Sequence, residues 1–247
     1  MTSTLRNAAL AASALLAVSG SLATANAAPA KAKPAATKVN WNGQVQETAN
    51  GSFALGNPEA PVKVTEFISY TCPHCAKLHQ ESDPVLRMTA IPKGQVSLTI
   101  SNFVRNPIDV TIAMITGCGD SKTFFARHNA FMGTQETWLK KLETITPAQQ
   151  QRWSQGAWPD RMRAIAGDFD FYARAEKFGM TRAKVDQCFN DEARMKQLEA
   201  QLQQAAALGI RGTPSYTING KLDAGHTWAE MSKAIAQTLA ESKAGNV

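Results

Sequence analysis

The sequence has 247 residues, 44% of them apolar and 19% charged, and its 26 Lys and Arg outnumber 20 Asp and Glu to give a formal charge of +6. So large an apolar share excludes a wholly disordered chain, and the length allows one large domain or two small ones. The charges form no basic stripe, which argues against a nucleic-acid partner, and four cysteines are too few for a disulfide scaffold of this length.

At the N-terminus, Arg6 precedes a largely apolar run over 8–18, too short for a membrane-spanning helix of about 20 residues. Small residues follow and end in Ala25-Asn26-Ala27. Residues 1–27 therefore read as a cleaved secretory signal that delivers the chain to an oxidising space, in keeping with a bacterial periplasm. Residues 28–50 read as a flexible leader, rich in Ala, Pro and Lys at its start, and 51–61 offer at most a short edge strand around 52–55.

The β-branched and aromatic segment 62–69 predicts a buried strand. A helix is expected to begin at Cys72, with Pro73 at the first position, where a missing N–H costs nothing, and with Pro84 kinking it further on. A second strand is predicted over 95–104. From 106 to 207 the pattern is helical, with pieces at 107–116, 121–131, 150–153, 161–178 and 181–189. The most regular piece spans 191–208, capped by Asp191 and ended by Gly209. Strand returns at 215–218 with Asn219-Gly220 as a hairpin turn. A last helix starts at Thr227, boxed with Glu230 and striped by Trp228, Met231, Ile235 and Leu239. An α/β layer made of 51–105 and 208–247, interrupted by a helical block over 106–207, is the economical architecture.

Cys72-Pro73-His74-Cys75 carries the chemistry. On a first helical turn this spacing brings two sulfurs within disulfide reach and leaves Cys72 exposed at the helix end, where unpaired N–H groups favour its thiolate. His74 adds positive character nearby, and Cys75, one turn in, is the resolving thiol. A zinc site would need more ligands than His79 supplies, and haem attachment would need histidine where Ala76 stands. An inert bridge closing so short a loop would stabilise little. Redox exchange, with no cofactor and no metal, is the reading that uses the whole motif.

The segment Glu66–Cys75 (EFISYTCPHC) together with Arg211-Gly-Thr-Pro-Ser-Tyr216 resembles the DsbA-type thiol:disulfide oxidoreductases. The resemblance implies a thioredoxin fold with a helical subdomain inserted between its two halves. It also implies roles. Cys72 matches the nucleophile and Cys75 its partner. Thr213 and Pro214 match a cis-proline loop that offers backbone groups to an extended substrate, and Glu66 matches a buried acid that moves the proton of Cys75. Tyr70, Thr71 and Tyr216, which flank these motifs, are expected to contact substrate. Two departures bear on tuning: Thr213 stands where oxidases of this type often have valine, and 95–104 contains no lysine to pair with Glu66.

Cys118 and Cys188 both fall in the helical block, which suggests a second, structural bridge worth roughly 4 kcal/mol in the chain-entropy account, although four cysteines allow three pairings. His79, His128 and His226 show no metal spacing, and the five tryptophans and most methionines read as core. The whole describes a monomeric periplasmic dithiol oxidase acting on reduced secreted polypeptides. The family resemblance implies a quinone-linked membrane protein of the DsbB kind as its reoxidant. An isomerase or reductase on the same fold is the nearest alternative. A peptide-holding chaperone or a zinc-binding module is the alternative from another class.

Overall fold

The computed structural model describes residues 39–244, so the expected secretory signal over 1–27 and the first part of the leader lie outside the described residues. Six strands form one sheet: β1 (Val45–Glu47), β2 (Phe53–Gly56), β3 (Val62–Ile68), β4 (Val96–Asn102), β5 (Ser215–Ile218) and β6 (Lys221–Leu222), in the order β1-β2-β4-β3-β5-β6. β3 and β4 run parallel and are joined through α1 (Pro73–Met88); every other pairing is antiparallel. Alternation along β3 places Val62, Val64 and Ile68 in the main core with Leu98 and Ile100 of β4, and Phe67 in a smaller cluster with Ala205 and Ile210 on the other face.

Between β4 and β5 lies the helical insertion. It comprises α2 (Pro107–Thr116), α3 (Phe124–Met132), α4 (Gln135–Leu139), α5 (Pro147–Ser154), α6 (Trp158–Asp168), α7 (Phe171–Glu176), α8 (Arg182–Phe189) and α9 (Glu192–Ala207). After β6, α10 (Trp228–Ala244) closes the chain's second half, started by the Thr227–Glu230 box and buried through Met231 and Ile235. This is a thioredoxin fold with a helical insertion. The insertion shares its core with the sheet: Phe53 of β2 stacks on Phe124 of α3 with ring centroids 3.9 Å apart.

Three expectations give way. Residues 39–50, read as leader, are built into the fold. β1 pairs with β2, so β2 is not an edge strand, and Arg194 of α9 bridges to Glu47 at 3.0 Å while Gln201 donates to the Asn50 carbonyl at 3.1 Å. Three exposed or half-buried residues carry no alternation to read, and only the neighbouring strand makes β1 visible. The helix expected over 161–178 is broken at Asp170, whose φ of 55° is left-handed. Residues two apart on a helix point to opposite sides, whereas the break lets Phe169 and Phe171 both reach the core, stacked 5.2 Å apart beneath Trp138. Trp158, read as core with the other tryptophans, is 37% exposed, and Met88 at 80% is an exception among the methionines.

Candidate active site

The C-terminal ends of β3 and β4 and the N-terminal end of β5 meet at one edge of the sheet, and all of the motif residues gather there. Cys72 is the N-cap of α1 and Pro73 its first residue. The N–H groups of Cys75 and Ala76 both turn back to the Cys72 carbonyl, at 3.1 and 3.2 Å. Pro84 does lie inside α1, on its exposed side.

Cys72 and Cys75 are unbridged, and both are buried. The expectation of an exposed Cys72 is corrected: it is only 3% exposed, because the loop before β5 closes over it and brings the Thr213 carbonyl oxygen to 3.3 Å from its Sγ, a bond that only the protonated thiol can donate. The Thr213–Pro214 peptide is cis, and the Pro214 carbonyl accepts from His226 Nδ1 at 2.8 Å, which makes Nδ1 the protonated ring nitrogen.

The two sulfurs are driven apart in acidity. Cys72 is held at about 5, well below the ordinary thiol range. The hydrogen bond from the Cys75 thiol contributes most, burial opposes it, and the Thr213 hydroxyl and the N–H groups of Cys75 and His74 add to it. The same hydroxyl is buried beside both sulfurs and also acts on Cys75. Cys75 is pushed far above the ordinary range by burial first, then by its bond to, and charge repulsion from, the Cys72 thiolate. The arrangement is one thiolate beside one thiol, with the anion at a helix N-terminus.

Glu66 lies in β3, is 3% exposed, and has one carboxyl oxygen with no hydrogen-bond partner. Burial, then the charge of Asp83, raises its pKa to about 8, so the group is protonated at neutral pH and able to exchange a proton just above it. No hydrogen bond joins Glu66 to Cys75 among the described residues; its electrostatic neighbour is Asp83 of α1.

Tyr70 and Tyr216, expected to contact substrate, are both buried. Tyr70 is 1% exposed and its hydroxyl lies 3.0 Å from both Thr116 Oγ1 and His128 Nδ1, while Tyr216 is fully buried with its hydroxyl donated to Asp223 at 2.9 Å. Both rings are large enough to be drawn into the core by the strand or turn that carries them. Thr71 is half-buried, and its hydroxyl accepts from Asn106 at 2.8 Å. His79 and His128 pack edge to face, and burial, the largest cause at each, lowers both pKa values, so both stay neutral.

Two site residues escaped the sequence. Gln135, 3% exposed at the start of α4, donates its Nε2 to the carbonyls of Tyr70 at 2.6 Å and Cys72 at 2.9 Å, pinning the turn from the insertion side. Asp109 of α2 is fully buried and accepts from Ser69 Oγ at 2.7 Å, Thr71 N at 2.8 Å and Arg105 N at 2.9 Å. Asp109 left a faint trace, standing three residues after the capping Asn106; Gln135 left none. Away from this edge, Cys118 and Cys188 form a disulfide with Cα atoms 5.9 Å apart.

A family model described as Thioredoxin matches residues 48–237. A crystal structure of a protein-disulfide isomerase from Novosphingobium aromaticivorans is 42% identical with a TM-score of 0.73, over 76% of this chain and 97% of that one. Alpha-DsbA1 of Wolbachia pipientis shares the fold at 19% identity, with a TM-score of 0.61 over 78% of this chain and 94% of that one. A Rickettsia typhi protein named "Putative protein-disulfide oxidoreductase RT0103" is 26% identical over 192 residues, 77% of this chain and 63% of the relative's length. The chain thus spans less than two thirds of that relative.

Proposed function

This chain belongs to the thioredoxin family, and from that premise we propose that it is a periplasmic thiol:disulfide oxidoreductase that donates the Cys72–Cys75 disulfide to reduced, exported polypeptides. The observation that carries the reading is the split between the two sulfurs, with Cys72 at about 5 and Cys75 far above the ordinary range. A substrate thiolate attacks Cys72 of the oxidised pair, the Cys72–Cys75 bond breaks, and Cys75 leaves and takes up a proton, whose source we assign to Glu66, acting without direct contact. A second substrate thiol, deprotonated, then attacks the substrate sulfur of the mixed disulfide, and Cys72 leaves as its stabilised thiolate. Two electrons pass from the substrate dithiol to the enzyme. A low leaving-group pKa speeds the second step, and stabilising the reduced pair makes the disulfide more oxidising.

Thr213 and Pro214 present backbone groups to an extended substrate beside Cys72. The Cys118–Cys188 bridge and the Ala25-Asn26-Ala27 cleavage pattern support an oxidising compartment. Turnover needs a two-electron acceptor, which we assign to a quinone-linked membrane partner of the DsbB kind, and the chain acts as a monomer. Isomerase action is the second reading, favoured by Thr213 before the cis proline and by the name of the Novosphingobium protein.

Equilibration of Cys72–Cys75 with glutathione tests the proposal. A donor should have a potential less negative than about −180 mV and should oxidise a reduced dithiol peptide; a value near about −270 mV with no net oxidation would overturn the reading. Faster recovery of a scrambled protein than of a reduced one would select the isomerase.

A further inference from the structure

The charges around the sheet edge are unequally engaged. Three acids beside the Cys72 turn and the loop before β5 are committed to donors: Asp109 to Ser69, Thr71 and Arg105 N–H, Asp223 to Tyr216 and Gly225 N–H, and Glu230 to Thr227 and the His226 N–H. Two guanidinium groups are not. Arg105, exposed just after β4, leans on Ser69 Oγ with its Nε at 3.0 Å and on Thr71 Oγ1 with an Nη at 3.5 Å, so it is fixed beside the residue preceding Cys72. Arg211, also exposed, stands two residues before Thr213 on the loop that covers Cys72. Among the described residues neither meets a carboxylate at ion-pair distance, although eight such pairs form elsewhere.

A substrate strand paired at Thr213 must therefore pass cations whose charge is unneutralised, one on the segment after β4 and one before β5. The hydroxyl contacts leave the remaining N–H donors of Arg105 free, and its fork is shaped for a carboxylate. We propose that Arg105 and Arg211 form a basic rim that selects cysteines flanked by acidic residues, so that the preferred substrates are polypeptides carrying Asp or Glu close to the cysteine to be oxidised. This rests on the disulfide-donor reading and names the substrate class of that same site. The rim acts on encounter and on the mixed-disulfide complex; the exchange chemistry stays with the cysteines.

The test uses oxidised protein and two dithiol peptides, acetylated and amidated so that no terminal charge competes, which differ only in Glu or Lys beside each cysteine. Flanking charge also alters a peptide's own thiol, so each rate is divided by that peptide's rate with a small neutral disulfide. The normalised rate should favour the Glu peptide by at least about fivefold at low salt and converge toward parity at about 0.5 M salt. Arg105→Gln/Arg211→Gln should remove the preference, while Lys93→Gln/Lys196→Gln, which removes the same charge from exposed sites elsewhere, should keep it. Parity in the unaltered protein, a preference that survives loss of both arginines, or equal loss in the lysine control would each overturn the rim. Failure to oxidise either peptide would instead overturn the donor reading, and the rim with it.

Discussion

The chain holds two cysteine pairs whose surroundings differ in kind. Cys118 and Cys188 are 70 residues apart, join the helical insertion to itself, and form a bridge. Cys72 and Cys75 close a single helical turn, so their bond constrains almost nothing in the unfolded chain. What surrounds them is a set of donors aimed at one sulfur and deep burial, with few donors, around the other. Loop length sets what a bridge does for stability, and electrostatic asymmetry sets how readily it is given away. The same bond is a brace in one place and a reagent in the other.

The largest expected effects separate the two pairs. Cys72→Ser should lower disulfide transfer by more than about a thousandfold while leaving the cooperative unfolding transition in place, because the nucleophile's chemistry has no substitute. Cys118→Ala/Cys188→Ala should do the reverse, lowering stability by ~4 kcal/mol with transfer from Cys72 retained at a temperature where the variant is folded. Denaturant unfolding and a peptide-oxidation assay on both variants check the contrast. A Cys118/Cys188 variant that loses transfer while still folded would mean that the bridge is not separable from the site.

Glu66 sharpens the contrast from the side of the sheet. Its carboxyl has an ordinary pKa of 4.5 and a folded value of about 8. Below the lower value both folded and unfolded chains are protonated and burial of the neutral acid adds no pH-dependent cost. As pH rises toward the higher value, the folded protein keeps a proton that the unfolded chain has released, and stability falls. Glu66→Gln should therefore stabilise the protein by ~2 kcal/mol near pH 8 and change little near pH 4, while slowing disulfide transfer where Cys75 must gain its proton. A stability gain without any rate change would limit Glu66 to a structural burden.

Cys72 runs with the opposite sign. The folded thiol is depressed from 9.0 to about 5, so the reduced protein holds an extra stability that is fully present above the ordinary thiol value and lost as pH falls through about 5. Ultraviolet absorbance of the thiolate should report that midpoint in reduced protein and in the Cys75→Ala variant, where loss of the largest favourable contact should move it upward by at least about one unit. An unmoved midpoint would assign the anion's stability to Thr213 and the helix N-terminus.

Which of these features could be read in advance follows from their range along the chain. The two strands around α1, its start at Pro73 and the Asp191 and Thr227 caps are local signals, carried by residues within a few positions of the element they specify. The cysteine motif is local too, and Pro214 came through resemblance. The features that escaped depend on distant partners. β1 exists because β2 lies beside it, the break at Asp170 exists because two phenylalanines share one core under Trp138, and Tyr70 is withdrawn by Thr116, 46 residues on, as Tyr216 is by Asp223 beyond the hairpin turn. The burial of Cys72 is of this sort, set by a loop 141 residues later.

Gln135 is the smallest test and the one that probes whether the two regions are independent. It belongs to the insertion, near the bridged pair's territory in sequence, yet its amide holds the carbonyls of Tyr70 and Cys72 at the sheet edge. Gln135→Leu keeps the bulk and removes both donated bonds. The Cys72 carbonyl still accepts from Cys75 and Ala76, so the uncompensated loss falls on the buried turn at Tyr70, at a cost of ~1 kcal/mol. If the amide serves only that turn, stability drops by this amount and the thiolate midpoint of Cys72 stays where it is. If the insertion sets the orientation of the thiolate against the first-turn N–H groups, the midpoint rises and the potential becomes more negative in step, by about 30 mV for each tenfold loss in the equilibrium with glutathione. We expect the second outcome, because Gln135 grips the very residue that caps α1, and a cap that can rotate no longer aims its sulfur.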